Sequence, residues 1–208
     1  MGSEEAPPTM GYSRSQFKIS CKKLNDKTIE KLCKEMTKAD MHCSLAPKDQ
    51  LPSMTFNTMF MQKYSVCGRL LATGRGTLDI FGVPDPAKAH NAVLQTFIQG
   101  IEAAKAVGEV RLKDWRMKEI RADKMVNRQG AISLIDLDKL AAITADISVY
   151  SPELGDSVMI MWHKPAGVIT RVTMMGKISV SNAKTMDDLH AAIRLTLELS
   201  RQCVRSAG

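Results

Sequence analysis

From Gln16 the chain alternates Phe17, Ile19 and Cys21 with Lys18, Ser20 and Lys22, a two-residue period that predicts a β-strand with one buried face. Ile29, Leu32, Cys33 and Met36 then recur at helical spacing behind a polar cap at Asn25 or Asp26, so a short helix follows. Between residues 53 and 82 the runs SMTFNTMFMQK, SVCGRLLATG and TLDIFG are separated by turn-prone Gly, Lys and Arg, which predicts two to four strands. Asp85-Pro86 opens a long helix, a capping side chain followed by a residue that needs no N–H partner in the first turn. Ala89, Val93, Phe97 and Ile101 form its apolar stripe, to about Ala106. The basic stretch EVRLKDWRMKEIRADK, 109 to 124, shows no clear period. The order then recurs: a short helix near 133 to 143, with Ser133 as cap, and strands at 145–151, 157–163, 167–174 and 177–182. A final helix at about 186–203 carries Leu189, Ile193 and Leu197 on one face.

The recurrence extends to residues. TGRGTLDIFGVPDPAKAHNAV begins at Thr73 and TMMGKISVSNAKTMDDLHAAI at Thr173, one hundred residues later. A gapless match pairs Thr73 with Thr173, Gly76 with Gly176, His90 with His190 and Ala92 with Ala192, and sets Leu78, Ile80 and Val93 against Ile178, Val180 and Ile193. Two copies at so long a period predict a duplicated, pseudo-two-fold α+β fold, not a solenoid. Each copy should place a short and a long helix on one side of an antiparallel sheet and leave the other side free. Residues 1–15 mix Pro, Gly, Ser and charge without apolar periodicity, so a flexible tail is expected there, followed by repeats at 16–108 and 109–205.

Composition narrows the function classes. Of 208 residues 44% are hydrophobic and 25% charged, as in ordinary globular proteins, and the net charge of +7 favours an acidic partner such as nucleic acid. Five cysteines without C-x-x-C spacing argue against a disulfide scaffold or zinc site, and for a reducing compartment. No apolar run has the length of a membrane span, so a soluble intracellular protein is expected. The four histidines lack metal-ligand spacing, TGRG is too short for a phosphate loop, and no Ser/His/Asp set appears; the expectation is a non-enzyme with no cofactor and no metal. Lys164, Arg171 and Lys177 fit either a charged sheet edge that discourages pairing or contacts to phosphates.

The run from Ile135 to Leu154, IDLDKLAAITADISVYSPEL, with Lys164-Pro165 and the strand GKISVSNAK from Gly176, resembles the C-terminal half of the TATA-binding protein core. In the first half, Leu24-x-x-Lys27-Thr28-Ile29 and Gly76 to Gly82 carry the likeness. The resemblance implies a saddle, with a concave sheet for minor-groove DNA and a convex helical side for protein partners. It also implies where DNA is met. Thr73 and Thr173, three residues before Gly76 and Gly176, stand where the family has wedging phenylalanines, and the other outer position falls on Gly155; Phe56 fits either the surviving outer wedge that the resemblance implies or, by the alternation of TFNTMFM, a buried strand residue. The central base-reading pair falls near Ser13 and Lys124, while Thr77, Asp79 and Phe81 and their counterparts Lys177, Ser179 and Ser181 take the concave strands. Pro152, Glu153 and Leu154 match the turn that engages transcription factor IIB, and a transcription factor IIA-like partner is implied as well. The expected function is a divergent transcription initiation factor that joins promoter DNA, with weak or altered TATA preference and reduced kinking, to a factor-IIB-like protein. Its setting would be the nucleus or a viral transcription compartment. A pure protein-interaction module on the same saddle is the alternative, and self-association through the exposed sheet stays open.

Overall fold

The computed structural model describes residues 7–21, 24–38, 41–47, 50–128, 131–132, 134–153 and 155–205. The chain divides into two compact units, Tyr12–Lys118 on one side and Glu119–Gly208 with Met1–Gly11 on the other. The boundary thus falls ten residues beyond the expected end at 108.

The first unit contains β1 (Thr9–Cys21) from Tyr12 onward, α1 (Asp26–Lys38), β2 (His42–Leu45), β3 (Ser53–Phe60), β4 (Tyr64–Leu71), β5 (Arg75–Phe81), α2 (Pro86–Ala103) and the beginning of β6 (Val110–Met125). Its strands run in the order β2-β3-β4-β5-β1, every one of these pairs antiparallel. The expected tail is in part strand, because β1 begins at Thr9. Ser13 and Ser15 occupy the same buried face as Phe17 and Ile19, and they are accommodated there by a histidine. The His90 ring, fully buried on α2, meets Ser13 Oγ through Nε2 at 2.9 Å and Ser15 Oγ through Nδ1 at 2.7 Å. Ser13 Oγ also donates to the Ile80 carbonyl at 3.2 Å. Burial pushes the His90 pKa down to about 4, so the ring is neutral and each nitrogen has a hydroxyl partner. Asn25 caps α1, its Oδ1 accepting from the Thr28 amide at 3.1 Å, and Asp85 caps α2 by accepting from the Lys88 amide at 3.1 Å.

The core of this unit is organised around three aromatic rings. Phe56 stacks on Phe97 with centroids 4.2 Å apart, and Phe17 meets Phe97 edge-on at 6.0 Å. Gly68 lies opposite Phe56 and Gly76 opposite Phe17, and a Cβ on either glycine would enter the facing ring.

The second unit contains the rest of β6, then β7 (Asn127–Arg128), β8 (Ala131–Ile132), α3 (Leu137–Ile143), β9 (Ser148–Val149), β10 (Ser157–Met161), β11 (Ile169–Thr173), β12 (Lys177–Ala183) and α4 (Met186–Gln202). The order β6-β12-β11-β10-β9 repeats that of the first unit, with β7 and β8 forming a separate ribbon. Asp136, not Ser133, caps α3 by accepting from the Lys139 amide at 3.0 Å; Ser133 lies outside the described residues. Thr185 caps α4 in the same way, through the Asp188 amide at 3.0 Å. The unassigned basic stretch is β6, whose buried residues are Val110, Ile120 and Ala122, with the buried Val126 just past its end.

Two turns fix the register of the repeat, and it differs from the gapless sequence match. Gly74 at φ 78° and Gly176 at φ 76° each sit in the left-handed region that favours glycine. Each amide donates 2.9 Å to the carbonyl three residues back, Leu71 and Thr173, and each carbonyl accepts at 2.8 Å from a neighbouring strand, from Ile19 and Val126. Gly176 therefore corresponds to Gly74, two residues before the expected Gly76. This register pairs Leu71 with Thr173, Arg69 with Arg171, Arg75 with Lys177 and Thr77 with Ser179. In the long helices the buried sets Ala89, His90, Val93, Leu94 and Ala192, Ile193, Thr196, Leu197 coincide after one further residue, β12 having a register irregularity between Val180 and Ala183. His90 and His190 are accordingly not equivalent: one is buried and hydrogen-bonded, the other exposed. Among the described residues no helix is long and apolar enough to cross a membrane.

Candidate nucleic-acid interface

Strand alternation sorts side chains onto two faces in each unit. In the first, Phe17, Leu70, Leu78 and Ile80 point into the core with α2, so Arg14, Gln16 and Lys18 of β1, Arg69 and Leu71 of β4, and Arg75, Thr77, Asp79 and Phe81 of β5 lie on the opposite face. Asp79 brings a negative charge to that face, but it is matched. Arg14 grips it with Nε to Oδ1 at 2.7 Å and Nη2 to Oδ2 at 3.0 Å, a two-pronged pair that cancels the charge locally. The same guanidinium lies 5.6 Å from the centre of the Tyr12 ring, which tilts against Phe81 at 5.7 Å. Phe81 remains 45% exposed, so an aromatic surface is presented at this end of the strand.

In the second unit the open face carries Lys177, Ser179 and Ser181 on β12, Arg171 on β11, and Met159 and Met161 on β10. Lys177 Nζ pairs with Asp123 Oδ2 at 2.9 Å, and Thr173 Oγ1 accepts from the Lys177 amide at 3.2 Å. Met125, Met161, Met174 and Met175 are exposed around these polar groups. The face is hydroxyl-rich and basic at its centre and lined by soft, adaptable thioethers.

The expected site residues divide accordingly. Thr77, Phe81, Lys177, Ser179 and Ser181 share the open faces. Phe56 does not: it is fully buried against Phe97, because it faces the side of β3 that packs on the helix. Thr73 lies exposed in the β4–β5 turn, and the true counterpart of Thr173 is Leu71, a half-buried apolar side chain at the end of β4. Lys124 is opposite Ile178 and shares a β6 face with the buried Ile120 and Ala122, so it belongs to the core side, as does Ser13. Arg171 and Lys177 sit on interior strands, each paired on both sides, so edge protection is not their role. Pro152 and Glu153 are exposed in a turn, and the Ser151 hydroxyl donating to Glu153 Oε2 at 2.8 Å holds that carboxyl below the usual range; Leu154 lies outside the described residues. Sequence reasoning missed the Arg69/Arg171 pair and the Arg14–Asp79 grip. Both are visible only once the strand register is known.

Among the described residues no cluster of three or more His, Cys, Asp or Glu side chains is placed to hold a metal ion, and all five cysteines are free thiols. No protein-family model and no curated protein matches the chain. Among solved structures it is similar to Methanococcus jannaschii TBP, with a TM-score of 0.65 over 95% of this chain and 99% of that one at 12% identity. The fold is TBP-like. The structure of A. aeolicus tRNASec in complex with M. kandleri SerRS also matches, over 93% of this chain and 30% of the other at 11% identity, but a TM-score of 0.36 carries no argument. The TBP-like fold accounts for the repeated order of elements and for the sheet face that each unit leaves without helices.

Proposed function

We propose that the chain is a TBP-like transcription initiation factor that binds double-stranded DNA with its open sheet faces and kinks it little. The observation that carries this reading is the pair Arg69 and Arg171, set at equivalent places in the two halves amid Thr77, Ser179 and Ser181, with the carboxylates Asp79 and Asp123 each matched by a cation. Cations on a face of small hydroxyl side chains suit phosphates beside a minor groove, and binding of this kind weakens steeply with salt. Little kinking follows from the positions that would pry bases apart. Phe56 is buried, Thr173 is small and hydrogen-bonded, Gly155 has no side chain, and only Leu71 offers an apolar group. Glu153, exposed and held ionised beside Pro152, suits a basic surface on a transcription factor IIB-like partner. A nuclear or viral transcription compartment is the setting this requires.

The test is a titration of duplexes with and without a TATA element at low salt, repeated as salt is raised. Saturable binding whose log affinity falls linearly with log salt, with modest TATA preference, supports the reading. The burial of Phe56 favours a second reading, a protein-interaction module on the same fold, and absence of any duplex binding at low salt would select it. Capture of a factor-IIB homologue from the same source should be lost on Glu153→Arg; unchanged capture would remove residues 152–153 from the partner surface.

A further inference from the structure

The open face of the first unit contains a cavity of about 610 Å³ whose charged lining is Lys18, Arg69, Arg75, Arg116 and Asp114, with the Thr77 hydroxyl beside them. Strand register places Lys18 directly opposite Arg75, and Arg69 opposite Thr77. Like charges facing each other across a strand pair are destabilising, so this arrangement needs a counter-charge. Among the described residues none of the four cations has a carboxylate within ion-pair distance; the one polar contact is Arg69 Nε donating to Ser53 Oγ at 3.1 Å. The second unit supplies an internal comparison. There Lys177 takes the place of Arg75 and pairs with Asp123, whereas the counterpart of Asp123 in the first unit is Gln16. One half neutralises its cation with its own acid, and the other leaves its cations converging on a void.

We propose that this cavity binds a compact oligophosphate, inorganic triphosphate or the triphosphate arm of a nucleotide. Its volume lies within the range of small-molecule sites, roughly 300–1,000 Å³. Three arginines offer planar forks that match phosphate oxygens, and Lys18 adds a point charge. Against Asp114 the lining has an excess of positive charge, which a triphosphate offsets within one concavity. The ligand would occupy part of the face assigned above to DNA, so it would compete with a duplex, but the site stands on the cavity and not on the DNA reading.

Isothermal titration of the full chain at low ionic strength, with inorganic triphosphate, ATP and, at matched ionic strength, sulfate, tests it. Triphosphate should bind one to one and at least about tenfold more tightly than sulfate, since each charged hydrogen bond is worth more than a factor of ten. ATP should bind at least as tightly as triphosphate. Arg75→Gln and Arg75→Glu should weaken triphosphate by about tenfold or more, while Lys177→Glu, whose side chain does not line the cavity and is paired with Asp123, changes it by less than about twofold. Thermal melting of each variant separates loss of the site from loss of fold. Equal affinity for triphosphate and sulfate, or equal losses from Arg75→Gln and Lys177→Glu, would overturn the proposal. Duplex titration of the same samples is scored separately, so a chain that binds triphosphate and no DNA would sink the DNA reading and leave this site standing.

Discussion

Phe56→Ala should destabilise the protein and spare its DNA contacts, the opposite of what a wedge would do. The side chain is fully buried and its ring stacks 4.2 Å from Phe97, so truncation removes one of the largest buried groups of the first unit. Phe-to-Ala changes in cores cost about 3–5 kcal/mol, and the lost aromatic stack argues for the upper part of that range. The opposing glycine sharpens the test. A Cβ at Gly68 would collide with the Phe56 ring, so Gly68→Ala should cost about 1–3 kcal/mol by overpacking. With the ring gone the collision disappears, and Gly68→Ala on the Phe56→Ala background should be close to neutral, a coupling of about 1–3 kcal/mol in a double-mutant cycle. Urea unfolding followed by far-ultraviolet circular dichroism measures all four corners. An unchanged midpoint for Phe56→Ala together with a large loss of duplex affinity or bend would refute the assignment of this ring to the core.

Three further outcomes follow from the geometry. His90 is held at about 4, below the roughly 6.5 of an unfolded histidine, so protons favour the unfolded chain; its contribution is complete above pH 6.5 and is lost as pH falls toward 4. Linkage gives about 2 kcal/mol lost between pH 7.5 and 5, and a His90→Asn variant should show no such additional slope in urea midpoints against pH. Asp79→Asn removes the acid that Arg14 grips, so duplex affinity should rise at low salt and the slope of log affinity against log salt should steepen by about one; an unchanged slope would mean Arg14 faces no phosphate. Gly74→Ala and Gly176→Ala each force an alanine into the left-handed region and should each cost at least about 1–2 kcal/mol in thermal or urea unfolding, Gly74→Ala more because its Cβ would collide with the Ile19 carbonyl, and a cost confined to one would deny that the turns are equivalent.

The elements with a clean apolar period were legible in the chain: α1, α2, α4 and the strands β3, β4, β5, β10, β11 and β12 all fall within a few residues of their expected places. What escaped did so for identifiable reasons. The start of β1 buries Ser13 and Ser15, and only their contact with His90, some seventy-five residues away, makes serines acceptable on a core face. β2 is a four-residue edge strand, too short to show a period. The repeat was real but its register was two residues off, because Gly76 invited pairing with Gly176 when it is glycine to make room for Phe17, and Gly74 is the residue that turns the chain. That slip moved the expected wedge from Leu71 to Thr73. Of the two readings of Phe56 the buried one holds, and Lys124 was misplaced because which face of a strand a residue occupies depends on its partners across the sheet. Thr77, Phe81, Lys177, Ser179 and Ser181 came out on the open faces because period-two alternation around Leu78, Ile80, Ile178 and Val180 already separates the two sides.

The central claim, DNA held on open basic faces without wedges to kink it, is tested most directly by a duplex labelled at both ends with a fluorescent donor and acceptor, titrated with the protein at low and then rising salt. The account predicts saturable, salt-sensitive binding, weakened by substituting Arg69 and Arg171 together, with little change in energy transfer between the ends. A large rise in energy transfer on binding, or no binding at the lowest salt, would contradict it.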